Sequence, residues 1–155
     1  MSLSTADGAY PPDLFIAADL GGTMTPELTY LAWTIAVFFV VVFVQATAGI
    51  LHNGGLVMAN NRDNLKPPTV FMLRMKRLTD NFRENLWFFT PLVLIAAVAD
   101  VSNSWTVLGA QLFFYARIAH AIWYAAGWPF VRPIFWFIGV VGCAMIFLAL
   151  FGVLS

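Results

Sequence analysis

Two stretches of this sequence, Tyr30–Leu51 and Pro133–Leu154, contain no Asp, Glu, Lys or Arg. Each is as long as the run of about 20 mostly apolar residues that a transmembrane helix needs to cross a hydrocarbon core of about 30 Å. The composition agrees, because 61% of the 155 residues are hydrophobic and 10% are charged, whereas about 25% of a soluble domain is charged. A soluble domain of this size cannot bury so much apolar surface. The sequence therefore predicts an integral membrane protein.

Four hydrophobic segments predict an all-α membrane protein, built as a four-transmembrane-helix bundle. The second segment is short, since its apolar part, Leu86–Ala99, covers about 21 Å at a rise of about 1.5 Å per residue. The polar segment before it, Arg77–Asn85, must therefore enter the membrane in the same helix, with its polar face turned away from lipid. The prediction is an N-terminal tail at 1–29 and a membrane domain at 30–155, with spans at about 30–51, 77–99, 105–126 and 129–154.

The positively charged residues indicate how the helices are oriented in the membrane. All eight Lys and Arg residues fall from Arg62 to Arg132, and four of them precede the second span. The loop at residues 100–104 holds none. Because short loops rich in Lys and Arg stay in the cytoplasm, the first and third loops are predicted to be cytoplasmic. Both chain termini are then predicted to be non-cytoplasmic.

A cluster of polar side chains lies near the cytoplasmic ends of the predicted helices. On the second helix their spacing is i, i+3, i+7 and i+10, and on the third it is i, i+3 and i+7, so each set shares one helix face. Ionisable groups at membrane depth are costly and usually mark a functional site. The cluster consists of Arg74, Arg77, Asn81 and Glu84 on the second helix, Arg117, His120 and Tyr124 on the third, and Arg132 at the start of the fourth.

The chemistry of this cluster suits a small peptide that carries both carboxylates and an ammonium group. Arg side chains bind carboxylates through two parallel hydrogen bonds, Glu84 could hold an ammonium, and Asn81 can both donate and accept. Glutathione has two carboxylates and one ammonium, and a nearby cation or hydroxyl would lower the pKa of its thiol. The same residues could instead form an internal ion-pair network that only joins the helices. The spacing alone does not decide between these two interpretations.

Several other function classes find no support in the residues. The sequence contains no metal-binding motif, no phosphate-binding loop and no nucleophile elbow, and it has no basic arm for nucleic acid. The single cysteine, Cys143, cannot form an intrachain disulfide and is interpreted as a packing residue. A channel or transporter is disfavoured, because the first and fourth spans carry no charged residue at mid-bilayer depth.

The polar cluster resembles the MAPEG family, the membrane-associated proteins in eicosanoid and glutathione metabolism. Its second-helix motif is Arg77-(x)3-Asn81-(x)2-Glu84-Asn85, and its third-helix motif, similar to the prostaglandin E synthase branch, is Arg117-Ile118-Ala119-His120-(x)3-Tyr124. Bacterial members have a similar loop and a similar turn into the last helix, here Asn61-Arg62-Asp63 followed by Pro67-Pro68, and Gly127-(x)-Pro129-(x)2-Arg132. The resemblance extends from about Asn61 to Trp136.

The resemblance implies a homotrimer in a bacterial inner membrane, with glutathione bound between neighbouring protomers and open to the cytoplasm. Small residues at Gly49, Gly139 and Gly142 could allow the close approach of helices in such an assembly. The implied activity is that of a glutathione S-transferase or peroxidase acting on lipophilic small molecules from the bilayer. Arg132 would be the catalytic residue that stabilises the thiolate. The residues implied to hold glutathione are Arg77, Asn81, Glu84, Arg117, His120 and Tyr124.

The sequence departs from the family pattern at three places. Family enzymes usually carry a basic residue near the end of the first helix, where this chain has Gln45 and, further on, His52. Asp80 replaces a second arginine of the second-helix motif, and Pro133 replaces a hydroxyl residue found in prostaglandin E synthase. Fewer cations would weaken glutathione binding, and Asp80 could repel a carboxylate. The resemblance therefore also allows a non-catalytic relative that binds lipids or scaffolds other enzymes.

Overall fold

The structure, a computed structural model, describes residues 24–61, 65–128 and 130–154, with only the backbone of residue 132. All regular secondary structure in these ranges is helical, which confirms the predicted all-α class. Of the predicted tail, residues 1–23 lie outside the described part of the chain. The helices, in chain order, are α1 (Pro26–Asn53), α2 (Gly55–Ala59), α3 (Val70–Val98), α4 (Ser104–Ala126) and α5 (Arg132–Leu150).

Helix α1 begins with a strong capping signal and contains the whole first predicted span. The Thr25 hydroxyl accepts a hydrogen bond from the backbone N–H of Leu28 at 3.3 Å, and Pro26 is the first helical residue. A hydroxyl cap followed by proline is typical of a helix start, because the cap satisfies a free N–H and proline has none to satisfy. The helix ends at Gly54, whose φ of 90° is a conformation that favours glycine.

Helix α3 joins the polar and apolar parts of the second predicted span in one continuous helix. It has 29 residues and starts after Thr69, whose hydroxyl accepts a hydrogen bond from the Met72 N–H at 3.2 Å. Arg74 and Lys76 therefore belong to the helix rather than to the preceding loop. By length and composition, α1 and the Pro133–Leu150 part of α5 are the described helices apolar enough to cross a membrane.

The bundle is held together by aromatic stacking and by a close approach of α4 to α5. The rings of Phe89 and Phe113 stack with centroids 3.9 Å apart at the centre of a core that includes Leu31. A Cβ on Gly109 would lie 2.6 Å from the Gly142 carbonyl oxygen, so the backbones touch at this point. Gly142 thus permits the close packing of α4 and α5 within one protomer. Gly49 likewise leaves room for the Met58 side chain.

A hydrogen-bonded group fastens α1 to the start of α4. Glu27 is buried, and its carboxylate accepts hydrogen bonds from the hydroxyls of Ser102, at 2.9 and 3.2 Å, and of Thr106. Asn103 caps α4 by accepting from the Thr106 N–H at 3.0 Å, and it donates to the Leu154 carbonyl at 3.2 Å. This group, called the Glu27 latch below, comprises Glu27, Ser102, Asn103 and Thr106.

Candidate functional site

A cavity of about 430 Å³ lies between α3, α4 and the start of α5. Two of the predicted second-helix residues and two of the predicted third-helix residues line its wall, so the structure brings both predicted faces together. The side chains that line the cavity are Arg77 and Asn81 from α3, His120 and Tyr124 from α4, and Pro133 and Trp136 from α5. This space is called the polar cavity below.

The wall of the polar cavity offers mainly hydrogen-bond donors and aromatic surface. Arg77 is exposed and donates through Nε to the Leu73 carbonyl at 3.1 Å, which leaves the remaining guanidinium N–H groups for a ligand. His120 and Tyr124 are buried, one helical turn apart, with ring centroids 5.6 Å from each other. Such a wall suits an anionic, partly flat ligand.

An apolar groove of about 470 Å³ lies between α3 and α5, and it shares Trp136 with the polar cavity. Glu84 stands on this groove rather than on the polar cavity, although it belongs to the same face of α3 as Arg77 and Asn81. The groove therefore has one acidic side chain on an otherwise largely apolar wall. Its other lining residues are Asn85, Phe88, Leu92, Val140, Cys143, Ala144 and Phe147. Cys143 thus lies in the groove wall and is partly buried.

Arg117 does not line the polar cavity but lies buried behind it. Its guanidinium donates from Nη1 to the Asn81 Oδ1 at 3.5 Å and from Nη2 to the Phe135 carbonyl at 3.2 Å. The charge also lies 5.4 Å from the centroid of the Phe113 ring. Gly139 makes room for this side chain, because a Cβ there would lie 2.8 Å from Nη2. In this geometry Arg117 does not line the polar cavity, and its predicted contact with glutathione stays a prediction.

The internal ion-pair network considered from the sequence does not occur among the described residues. Their ion pairs join Asp80 to Lys76 at 2.7 Å and to Arg83 at 2.9 Å, on the partly exposed surface of α3. Glu84 forms no ion pair with Arg77 or Arg117 within the described ranges. The charge of Asp80, which could have repelled a carboxylate, is thus balanced by two cations.

Arg132 is the first residue of α5, and its side chain lies outside the described part of the structure. The next residue, Pro133, lines the polar cavity, so residue 132 stands at the cavity's edge. The helix starts after Val131 without a side-chain cap. Pro133 has no N–H, and the Ile134 N–H donates to the Val131 carbonyl at 3.2 Å. The helix dipole makes this end of α5 electropositive, which complements the predicted cationic role of Arg132. Arg62 also lies outside the described residues.

The end of α1 supplies no free cation to the polar cavity of its own protomer. Gln45 lines a different cavity, of about 390 Å³, together with Met58, Met72 and other residues near the start of α3. The His52 ring contacts the Pro67 carbonyl oxygen through Nε2 at 3.0 Å, and Lys66 donates to the His52 carbonyl at 3.2 Å. His52 thus holds the first loop in place and does not reach the site.

The sequence interpretation missed three residues of the site, namely Pro133, Trp136 and Asn85. Trp136 lies four residues after Arg132, so helical spacing could have placed it beside the predicted catalytic residue. Asn85 is buried and donates through Nδ2 to the Asn81 carbonyl at 2.6 Å. Asn85 lies four residues after Asn81 on α3, so the same helical spacing could have placed it beside Asn81.

Comparison with known proteins identifies the family of the chain. A family model, described as the MAPEG family, matches residues 25–152, which include all five helices and every residue of the polar cavity. Comparisons with curated proteins and with solved structures find no match. The match spans most of the chain and agrees with the motifs on α3 and α4. The chain therefore belongs to the MAPEG family.

Proposed function

We propose that this protein is a membrane-embedded, glutathione-dependent transferase or peroxidase that acts on lipophilic electrophiles or hydroperoxides. The family includes glutathione transferases and peroxidases as well as proteins of eicosanoid synthesis. The observation that carries the proposal is the adjacency of two spaces, the polar cavity and the apolar groove, which share Trp136. A peptide thiol in one and a lipophile in the other would meet at this tryptophan.

The proposed binding roles follow from the charges on the two walls. Arg77 provides free guanidinium N–H groups for a glutathione carboxylate, and Asn81 and Tyr124 provide hydrogen bonds beside it. Glu84 lies seven residues after Arg77 on α3, about 10 Å further along the helix. At that distance it accepts the ammonium at the other end of an extended peptide. His120 completes the wall between Asn81 and Tyr124.

The proposed chemistry needs a thiolate at the start of α5. The electropositive end of α5 and the Arg132 cation stabilise the anion relative to the thiol. In conjugation, the sulfur bonds to an electrophilic carbon, and the leaving group departs with the electron pair of its bond. In hydroperoxide reduction, the thiolate sulfur attacks the terminal oxygen and the O–O bond breaks. The departing alkoxide takes up the proton that the thiol released and leaves as an alcohol. A second glutathione then converts the sulfenic acid to glutathione disulfide and water.

The proposal includes four spans, a homotrimer and a bacterial inner membrane as the location. Family membership and the two apolar helices make the chain an integral membrane protein. Large apolar side chains on α3 face outward, with Trp87 75% and Phe88 68% exposed, and a neighbouring protomer or lipid must cover them. Native mass spectrometry in mild detergent tests for the trimer. Protease access to a C-terminal tag on intact spheroplasts tests the non-cytoplasmic terminus.

A second candidate function is that of a non-catalytic lipid-binding or scaffolding protein. It is favoured by one observation, the absence of a free cation at the end of α1, where His52 is engaged by the loop. Because every protomer of the proposed homotrimer has this same α1 end, glutathione is held by fewer charges than in typical family enzymes. Binding of glutathione without turnover of any electrophile would support this candidate.

Turnover of a lipophilic electrophile by the detergent-purified protein tests the enzymatic proposal. The assay uses an aryl halide for conjugation and an organic hydroperoxide for reduction, each with glutathione present. We expect Arg132→Ala to abolish turnover and the ultraviolet absorbance of the bound thiolate, while Arg132→Lys retains part of both. Turnover that is the same in Arg132→Ala and in the wild type would contradict the proposed mechanism.

A further inference from the structure

Two side-chain contacts, and a third at the backbone, indicate the direction of the Asn81 side chain. Its Oδ1 lies 3.5 Å from the Arg117 Nη1 and 3.4 Å from the Asn85 Nδ2. Arginine carries only hydrogen-bond donors, so the Asn81 atom that faces Arg117 must be the amide oxygen and not the nitrogen. Asn85 adds a second constraint, because the same Nδ2 donates to the Asn81 carbonyl at 2.6 Å and cannot turn away. The oxygen of Asn81 therefore points into the bundle.

We propose that Arg117 is a positioning residue, which fixes Asn81 so that its amide N–H₂ group faces the polar cavity. This inference rests on the proposed function and adds a specificity rule to it. With its oxygen engaged inside the bundle, Asn81 offers only donors to a ligand. Arg77 on the same wall is also a donor-only group. A carboxylate or carbonyl oxygen binds at this wall, and the glutathione ammonium is directed away from it toward Glu84.

The burial of Arg117 gives its contact with Asn81 more weight than the distance alone suggests. Arg117 is 1% exposed, and no carboxylate of the described residues lies within ion-pair distance of it. Its Nε, moreover, has no hydrogen-bond partner among these residues. A buried cation without a counter-ion is costly and orients nearby dipoles strongly, because little water screens its field. The amide dipole of Asn81 is the side-chain dipole that it orients.

Substitution of Asn81 by aspartate gives opposite results for the two possible orientations. If Asn81 donates to a glutathione carboxylate, Asn81→Asp replaces the donors by a negative charge, and the affinity should fall by about tenfold or more. The folded protein should be at least as stable as the wild type, because Arg117 gains a counter-ion. If Asn81 instead offered its oxygen to the ammonium, the same substitution would raise the affinity. An affinity that rises or stays unchanged overturns the proposal.

A double-mutant cycle tests whether Arg117 acts through Asn81. Arg117→Met keeps much of the side-chain volume without the buried charge, and such replacements are often tolerated. We expect the affinity for glutathione to fall by about three- to tenfold in Arg117→Met. The same change in an Asn81→Ala background should have no further effect. Equal losses in both backgrounds would show that Arg117 acts without Asn81 and would overturn the positioning role.

Arg83→Met is the matched control, because Arg83 lies two residues after Asn81 on α3 but is exposed and bound to Asp80. It removes the same charge without touching Asn81, and the glutathione affinity should remain unchanged. Failure of this inference is distinguishable from failure of the proposed function. A folded wild type that does not bind glutathione contradicts the function. A wild type that binds glutathione, with an Asn81→Asp variant that binds it as well or better, contradicts only the inference.

Discussion

Two buried charged side chains of this bundle, Glu27 and Arg117, differ in how completely their polar atoms are satisfied. Glu27 is 2% exposed, and its carboxylate oxygens accept hydrogen bonds from two hydroxyls in the Glu27 latch. Arg117 is 1% exposed, yet its Nε has no partner among the described residues and its contact with Asn81 is long. The two groups are about 16 Å apart along α4, from Thr106 to Arg117.

This contrast indicates which buried polar group maintains the fold and which one serves a ligand. A buried group with all its hydrogen bonds made stabilises one packing arrangement and has nothing left to offer. An incompletely satisfied cation next to a cavity is tolerated only where another part of the structure compensates its cost. Variants at the Glu27 latch should therefore change stability without changing glutathione affinity. Variants around the polar cavity should do the reverse.

The largest effect on binding is expected from Glu84→Gln. The change removes a charge-assisted contact with the glutathione ammonium, worth about 1.5–3 kcal/mol, so the affinity should fall by about ten- to a hundredfold. Folding should be unaffected, because Glu84 is exposed and forms no ion pair within the described ranges. Calorimetric titration and thermal unfolding of one preparation measure both quantities. A well-folded variant with wild-type affinity would refute the role of Glu84.

The largest effect on stability is expected from Glu27→Ala. The change leaves a buried space at the start of α1 and removes the acceptor for the Ser102 and Thr106 hydroxyls. The cost should be about 1–3 kcal/mol in the free energy of unfolding, with Glu27→Gln losing less because it keeps the packing. Chemical denaturation in detergent measures this loss. If Glu27→Gln lowered both the stability and the glutathione affinity, the proposed separation of the Glu27 latch from the polar cavity would be wrong.

A smaller effect on binding is expected from Gly139→Ala. The new Cβ would lie 2.8 Å from the Arg117 Nη2 and 3.4 Å from its Cζ, so the guanidinium must move. A strained rotamer costs about 0.5–1.5 kcal/mol. If Asn81 loses its contact with Arg117 as a result, the glutathione affinity should fall by about two- to tenfold. Titration of Gly139→Ala with and without Asn81→Ala checks whether the loss passes through Asn81, as it must if the positioning role is correct.

The smallest effect is expected from Asp80→Asn. Asp80 pairs with Lys76 and Arg83 on the partly exposed surface of α3, and such ion pairs contribute about 0–1 kcal/mol. Because the two cations balance the carboxylate, its removal should change the glutathione affinity by less than about twofold. Raising the salt concentration should not alter that result. A large gain in affinity would show that Asp80 does repel the ligand, as its place in the motif suggests.

Much of the fold could be predicted from hydrophobic runs and helical spacing. The uncharged segments predicted α1 and α5. Because Leu86–Ala99 is short, the polar residues before it were predicted to belong to the same helix, and α3 contains both parts. The spacing of Arg77 and Asn81 on α3, and of His120 and Tyr124 on α4, predicted the two faces that meet at the polar cavity. Each of these features depends on the residues of a single helix, so it can be predicted from the sequence.

What could not be predicted depends on how two helices meet. Arg117 shares a face of α4 with His120, but the absence of a side chain at Gly139 lets its guanidinium turn toward α5. Glu84 shares a face of α3 with Arg77, yet α5 rather than α4 faces it at that level, so it lies on the apolar groove. The contacts of Gly139 and Gly142 within one protomer were equally hidden, since a small residue fits an internal contact or a subunit interface.

Titration of three proteins with glutathione in a calorimeter, all purified in the same mild detergent, tests whether glutathione binding is separate from the Glu27 latch. The wild type should bind glutathione saturably, Glu84→Gln should bind it about ten- to a hundredfold more weakly, and Glu27→Gln should bind it like the wild type. Thermal unfolding of the same samples should show the opposite order, with a loss only in Glu27→Gln. A folded wild type that gives no saturable heat, or equal weakening in both variants, would contradict the proposed glutathione site, which extends from the polar cavity to Glu84.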